Sequence, residues 1–96
     1  MRVFISQPMA NRDTDEIMEE RTKIMSALPE TAELIDTLSA EGDNPLKCLG
    51  EALILLADAD LVVFAENWHF ARGCKIEHEA AYRYGIPVRY ASDLLT

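Results

Sequence analysis

The stretch DLVVF, Asp60–Phe64, constrains the fold more than any other part of the chain. After its first residue it is apolar without interruption, which is typical of a strand buried on both faces of a parallel sheet. Parallel strands are joined by long crossover connections, which are usually helices. We therefore expect strands and helices to alternate along the chain.

The rest of the sequence alternates in this way. Strands are predicted at RVFIS, AELIDT and IPVRY, which are Arg2–Ser6, Ala32–Thr37 and Ile86–Tyr90. Helices are predicted from Asp15 to Leu28, from Pro45 to about Ala57 and from Arg72 to Tyr84. The βαβαβαβ order predicts an α/β fold, a flavodoxin- or Rossmann-like three-layer sandwich with a four- to five-stranded parallel sheet. At 96 residues the chain is expected to form one domain, residues 1–96.

Capping residues mark the ends of these helices. Asp13 or Thr14 can cap the first helix. In the loop EGDNP, Asn44 caps the second helix and Pro45 occupies its first position. Gly85 is the predicted C-cap of the third.

The second helix is apolar almost all round. Its two apolar sides are formed by Leu46, Leu49, Leu53 and Leu56 and by Cys48, Ala52 and Leu55. A helix of this kind is buried on two sides. In so small a domain we expect the second side to meet another subunit, so a homo-oligomer is predicted.

The charge of the chain limits its partners. Nine Lys and Arg stand against 17 Asp and Glu, a formal net charge of −8. This argues against binding nucleic acid or a membrane surface, because both rely on clustered cations. The N-terminal MRVFISQPMA has neither a signal-peptide pattern nor the length to span a bilayer. We expect a cytoplasmic protein with Cys48 and Cys74 as free thiols and a small molecule as its partner.

The stretch NWHFARGCKIEHEAA, Asn67–Ala81, combines several reactive side chains directly after the central strand. Helical phase groups Gly73, Ile76, Ala80, Ala81 and Tyr84 on one face, and Glu77 lies in the middle of it. The opposite, solvated face carries Lys75, His78, Glu79, Tyr82 and Arg83. A carboxylate on the buried face, near the carboxyl end of a strand, is a candidate for the active site. The plainer interpretation is that Glu77 leans to the edge of its face or pairs with an Arg.

A metal site is the main alternative for this stretch. His69, Cys74 and His78 could supply three ligands, but the sequence has no C-x-x-C or H-x-x-x-H pair and His78 projects away from the face of Glu77. Cys74 could also be a nucleophile near a helix N-terminus, although no His faces it convincingly. The chain has neither G-x-G-x-x-G nor G-K-[ST]. We expect no metal and no cofactor.

Residues other than Glu77 could contact a ligand. The loop SQPMANR follows the first strand, where α/β proteins commonly bind ligands, and its candidates are Ser6, Gln7, Pro8 and Met9. A plain turn is an equally good interpretation of this loop. Arg72 and Gly73 form an anion-binding position at the helix start. Trp68 could stack on a base or, more simply, close the core.

Three segments resemble the nucleoside 2-deoxyribosyltransferase-like family, which is also similar to deoxynucleoside monophosphate N-glycosidases. These segments are MRVFISQPM, ADLVVF and W…ARGCKIEHEAAYRYGIPV, and the resemblance as a whole extends over nearly the whole chain. The family motif G-x-x-x-E maps onto Gly73 and Glu77. The resemblance implies that Glu77 is a nucleophile that attacks the anomeric carbon of a deoxyribosyl group, and that the covalent glycosyl-enzyme passes the sugar to a base or to water.

The chain departs from the family pattern at two places. The family acid two positions before the motif Gly is replaced by Ala71, and the Arg72 that follows would suit a 5′-phosphate. The family Asp before the central strand is matched most closely by Glu51, about one residue out of register. The resemblance thus predicts Glu77 and Glu51 as catalytic residues for a (deoxy)nucleoside or nucleoside monophosphate. A catalytically inactive nucleotide-binding or oligomeric interaction protein of the same fold is the alternative.

Overall fold

The structure is a computed structural model that describes residues 1–37 and 44–96. Its elements are β1 (Arg2–Ser6), α1 (Thr14–Ser26), β2 (Glu33–Leu34), α2 (Pro45–Leu56), β3 (Leu61–Phe64), α3 (Arg72–Arg83), β4 (Val88–Tyr90) and α4 (Ala91–Leu94). A short 3₁₀ turn, Trp68–Phe70, lies between β3 and α3. Residues 41–43 of the predicted EGDNP loop lie outside the described residues.

The four strands form one parallel sheet in the order β2-β1-β3-β4, which confirms the predicted α/β fold. β3 is buried along its whole length, as its continuous apolar run predicted. From β1 the chain moves outward to β2 and then returns to place β3 on the other side of β1. The connections after β1 and β3 therefore diverge at their carboxyl ends, where sheets of this kind bind ligands. Ser6 and Phe64 are paired at this point.

The strand residues alternate between two helical layers. Val3 and Ile5 pack in a core with Ile24 of α1 and Ala91 of α4, whereas Phe4 packs with residues of α2 and α3. The period of two continues at the end of β1. The Ser6 side chain consequently contacts α3, and the Gln7 side chain contacts α1.

The predicted N-caps of α1 and α2 are confirmed, whereas α1 ends two residues earlier than predicted, at Ser26. The Asp13 side chain accepts a hydrogen bond from the Glu16 N–H, and the Asn44 side chain accepts one from the Lys47 N–H. The C-cap of α3 is Tyr84 rather than the predicted Gly85. Gly85 is the next residue and has a φ of 73°, a left-handed conformation that glycine adopts without steric cost. β2 is shorter than predicted, although the Ile35 N–H still donates to the Val3 carbonyl.

The predicted buried face of α3 is wrong in part. Ile76 and Tyr84 are 40% and 85% exposed, whereas His78, predicted on the solvated face, is half-buried. The physical reason is the loop after β3, which places Trp68 against one side of α3 and covers His78. The buried residues of α3 are Cys74, Glu77 and Ala81. The buried face of the helix is thus rotated, relative to the predicted one, toward the loop that carries Trp68.

α2 is less buried than its composition predicted. Leu56 is its buried residue, whereas Leu46 and Ile54 are 78% and 70% exposed. Part of the apolar surface is thus uncovered in the single chain, and the partner subunit stays a prediction. Within residues 1–37 and 44–96, no helix combines the length and apolar character that crossing a membrane requires.

Candidate active site

Glu77 lies at the point where the connections after β1 and β3 diverge. Glu77 is 7% exposed and Ser6 is 1% exposed. The Ser6 hydroxyl donates a hydrogen bond of 2.7 Å to Glu77 Oε1. This contact joins the second turn of α3 to the carboxyl end of β1 and brings together two of the residues that the sequence singled out.

The surroundings of Glu77 leave one carboxylate oxygen available. No hydrogen bond of the described residues ends on Oε2, and among the same residues no buried side-chain oxygen or nitrogen lacks a partner. Oε2 therefore belongs to the small exposed part of the side chain. Oε2 is therefore not engaged by another of the described protein groups, while Ser6 holds Oε1.

Burial raises the pKa of Glu77 above its ordinary value, because removal from water disfavours the charged form. The Ser6 hydroxyl acts in the opposite direction, since its hydrogen bond favours the carboxylate, and the net direction is upward. A buried carboxyl whose pKa is shifted and which has a specific hydrogen-bond partner is characteristic of functional sites.

Cys74 lies beside this pair. Burial raises the pKa of its thiol to about 11; the Ser6 hydroxyl lowers it, while the negative charges of Glu77 and Glu20 raise it further. A neutral thiol is a poor nucleophile and a poor metal ligand. Cys74 and Cys48 are both free, and the described residues contain no group of three or more His, Cys, Asp or Glu placed to hold a metal ion.

A polar network holds the loop on the other side of β1. Gln7 is buried, and its Nε2 donates to the Ile17 carbonyl at 3.1 Å and to Glu20 Oε1 at 2.9 Å. Its Oε1 accepts a hydrogen bond from Arg21 Nε. Arg21 is 2% exposed and also donates to Thr37 Oγ1 at 2.6 Å. The network therefore ties α1 to the carboxyl ends of β1 and β2.

Arg12 continues this network toward the surface. Its Nη1 donates to Glu20 Oε1 at 3.0 Å and to the Pro8 carbonyl at 2.9 Å. Its backbone N–H donates to the Met9 carbonyl at 3.2 Å. The loop Ser6–Met9 is consequently held by side chains of α1 and by Arg12, two residues before the first residue of α1.

A cleft of about 520 Å³ opens on the α1 side of the strand ends. It is lined by Arg12, Glu16, Glu19, Glu20, Lys23, Glu66, Ala91, Ser92, Leu95 and Thr96. Four carboxylates against two cationic side chains make it unfavourable for a phosphate. Glu77 does not line this cleft, because its side chain lies on the α3 side of the sheet.

Trp68 packs within an aromatic cluster. Its ring stacks on His78 with centroids 4.2 Å apart and an interplanar angle of 15°, and it also contacts Phe64 and Tyr90. His78 Nε2 lies 2.7 Å from the Tyr90 hydroxyl. This packing favours the interpretation in which Trp68 closes the core beside the site.

The other predicted site residues differ in position. Arg72 and Gly73 form the first turn of α3, one turn before Glu77, and Arg72 is exposed. A Cβ atom added at Gly73 would meet no protein atom within 4 Å, so there is open space over this turn. Glu51 is exposed in the middle of α2.

Sequence reasoning did not find Glu20 or the hydrogen bonds of Arg21 to Gln7 and Thr37. Arg21 lies between Ile17 and Ile24 on the buried stripe of α1, and a charged residue in such a stripe was the available signal. Glu20 borders the same stripe. Its contacts with Gln7 and Arg12 depend on how the loop folds back on α1, which no local pattern encodes.

No protein-family model, curated protein or solved structure matched the chain, so its function has to be inferred from the residues at the strand ends.

Proposed function

We propose that the protein cleaves or transfers the N-glycosidic bond of a (deoxy)nucleoside or nucleoside monophosphate, with Glu77 as nucleophile. The observation that carries the proposal is the buried Ser6–Glu77 pair at the carboxyl ends of β1 and β3. This is where a parallel sheet of this order binds ligands. The resemblance of the G-x-x-x-E segment, Gly73 to Glu77, supplies the reaction class.

In the proposed reaction, Glu77 Oε2 attacks the anomeric carbon and the base departs with the electrons of the glycosidic bond. A glycosyl ester forms on Glu77, and the departing base takes up a proton from solvent. Attack by water or a second base then breaks the ester: the electron pair returns to the carboxylate, and the attacking group releases its proton to solvent. The Ser6 hydroxyl fixes the rotamer of Glu77 by holding Oε1. A positioned nucleophile saves the entropy of bringing two groups together.

The raised pKa of Glu77 sets the direction of the pH profile. The nucleophile must be ionised, and burial keeps the neutral form populated to a higher pH than usual. Activity should therefore fall as the pH is lowered through the pKa of Glu77, and this limb should lie above the ordinary range of a Glu side chain.

Binding roles follow from the positions around Glu77. We assign the sugar to the loop Ser6–Met9, and Arg72 with the free N–H groups at the start of α3 to a 5′-phosphate. Gly73 leaves space for such a group. Trp68 borders the site as a wall of the base pocket. The free thiols fit our proposal of a cytoplasmic location, where cysteines stay reduced.

The test is release of free base. The protein is incubated with deoxynucleosides and deoxynucleoside monophosphates, and free base is measured by chromatography. Glu77→Gln should abolish the release, whereas the matched control Glu79→Gln, on the exposed side of the same helix, should leave it unchanged. Release that survives Glu77→Gln would contradict the proposed nucleophile.

A catalytically inactive nucleotide-binding or oligomeric interaction protein is the second candidate. The observation that favours it is that Glu77 is only 7% exposed and bonded to Ser6, so the pair could serve simply to attach α3 to β1. The exposed Leu46 and Ile54 of α2 favour self-association. Stabilisation by nucleotides without base release from any substrate would support this candidate.

A further inference from the structure

The solvent side of α2 carries a stripe of residues spaced four apart. Leu46, Gly50 and Ile54 form this stripe, and all three are exposed. Leu56, on the side that faces the sheet, is buried in the core that α2 forms with β1 and β3. A Cβ atom added at Gly50 would meet no protein atom within 4 Å, so a second backbone can approach the helix closely at the centre of the stripe.

The stripe is symmetric about Gly50, because Leu46 lies about one turn before it and Ile54 about one turn after it. A contact with two-fold symmetry is self-complementary, so a residue that contacts a second residue is matched by the same pair in reverse. Two antiparallel α2 helices centred on Gly50 meet this condition, since Leu46 of each subunit lies level with the partner's Ile54. A parallel pair would place Lys47 beside the partner's Lys47, and like charges at such positions are unfavourable.

The charges beside the stripe also fit the antiparallel arrangement. Lys47 and Glu51 are exposed, and helical phase places both on the same side of the stripe, about 60° and about 100° from Gly50. Lys47 comes three residues before Gly50 and Glu51 one residue after it, so Lys47 and the partner's Glu51 lie about 3 Å apart along the helix axis. Among residues 1–37 and 44–96, no ion pair includes Lys47 or Glu51. Both side chains can therefore pair across the contact.

The overall charge favours α2 as the place where two copies meet. Each chain has a formal net charge of −8, so two copies repel each other, and a contact costs least where the local charge is balanced. α2 carries one Lys and one Glu, whereas α1 carries four carboxylates and two cationic side chains. A strongly acidic or basic partner protein would find no complementary charge on α2.

We propose that α2 is the interface of a homodimer in which two α2 helices pack antiparallel about Gly50. Leu46 packs near the partner's Ile54, and Lys47 pairs with the partner's Glu51. The dimer goes beyond the proposed reaction and does not depend on it. Because the contact involves one helix from each subunit, it belongs to the small, reversible interfaces, and the fraction of dimer rises with protein concentration.

Sedimentation velocity over a wide range of protein concentration tests the charge pairing. The wild type should change from monomer to dimer as the concentration rises. Lys47→Glu should weaken the dimer by about tenfold, because two ion pairs become like-charge contacts. The double variant Lys47→Glu/Glu51→Lys should restore it, because opposite charges meet again. The control Lys75→Glu makes the same change in net charge on the exposed side of α3 and should leave association unchanged.

A disulfide across the two-fold axis tests the register of the two helices. For helix axes about 10 Å apart, facing Cα atoms are about 5 Å apart, which a disulfide can span. In a Cys48→Ser background, Gly50→Cys should form a covalent dimer on mild oxidation, detected by intact-protein mass spectrometry. The control Tyr82→Cys, at an exposed position of α3, should stay monomeric.

Three results would each overturn the proposed interface. The first is a wild type that is monomeric at every concentration, which would leave the stripe on α2 to a different protein. The second is a dimer that Lys47→Glu does not weaken, and the third is a Gly50→Cys variant that crosslinks no faster than Tyr82→Cys. Either of these would place the contact between subunits outside α2.

Discussion

The hydrogen bond between Ser6 and Glu77 should contribute to stability in a pH-dependent way. A double-mutant cycle of Ser6→Ala, Glu77→Gln and the double variant isolates the part of the bond that depends on the charge of Glu77. A hydrogen bond to a charged group contributes about 1.5–3 kcal/mol and one between neutral groups about 0.5–1.5 kcal/mol. Because the side-chain amide of the Glu77→Gln variant can still accept from Ser6, the expected coupling is the difference, about 1 kcal/mol.

The coupling should be present only above the pKa of Glu77. Below it both Glu77 and its glutamine replacement are neutral, so the two bonds are equivalent and the coupling approaches zero. The stability difference between wild type and Glu77→Gln should also depend on pH. A carboxyl whose folded-state pKa is raised stabilises the protein fully below its unfolded pKa, and this contribution is lost as pH rises through the folded value. The free energy of unfolding of the wild type should therefore fall relative to that of Glu77→Gln as the pH rises from the unfolded pKa of Glu77 to its folded pKa.

Urea unfolding measures these quantities. The single Trp of the chain, Trp68, lies beside the site and provides the fluorescence signal. Unfolding free energies are compared from about pH 4 to about pH 9, a range that covers an upward-shifted carboxyl. The control Glu79→Gln removes an exposed partner of Arg83 and should cost no more than about 0.5 kcal/mol, without coupling to Ser6. A coupling that is absent at every pH, or the same at every pH, would refute the reasoning.

Four further outcomes are expected. Gly73→Ala should raise the free energy of unfolding by up to about 1 kcal/mol, because Ala favours the helix and its Cβ would meet no protein atom within 4 Å. The same change should weaken nucleotide binding in a thermal-shift titration. Unchanged binding would exclude Gly73 from the site. Arg21→Ala should cost about 1–3 kcal/mol in urea unfolding, since it leaves buried partners unsatisfied; a neutral effect would mean that water replaces the guanidinium. With its pKa raised to about 11, Cys74 should react with a thiol reagent at about pH 8 only after unfolding, whereas Cys48 reacts in the folded protein. Rapid reaction of both cysteines in the folded protein would contradict the burial of Cys74. Ile54→Glu should change stability by less than about 0.5 kcal/mol and reduce the sedimentation coefficient if α2 is a subunit interface; an unchanged oligomer would place the interface elsewhere.

The features that the sequence predicted correctly are those that local physics determines. The apolar run of β3 requires burial on both faces, and the caps at Asp13 and Asn44 act within one helical turn. The burial of Glu77 was also predictable, because helical phase extends over the few residues from Gly73 to Ala81. These predictions need only the identity of near neighbours.

The features that were missed depend on contacts distant in sequence. The exposure of Ile76 and the partial burial of His78 follow from the position of the Trp68 loop against α3, which helical phase alone does not encode. Glu20 has no distinguishing spacing, and its contact with Gln7 arises only when the loop after β1 turns back over α1. The burial of Glu77 on α3 was therefore predictable, whereas the contacts of Glu20 on α1 were not.

The contact between Ser6 and Glu77 also bears on how the protein folds, because it joins residues 71 positions apart. Helices α1 and α3 can form from local contacts, but this contact requires β1 to pair with β3 across the intervening chain. Loop-closure entropy opposes such pairing, so contacts of high sequence separation form slowly. During refolding, the circular dichroism signal of the helices should recover before the Ser6–Glu77 hydrogen bond forms. The formation of this bond would then report the time at which β1 pairs with β3.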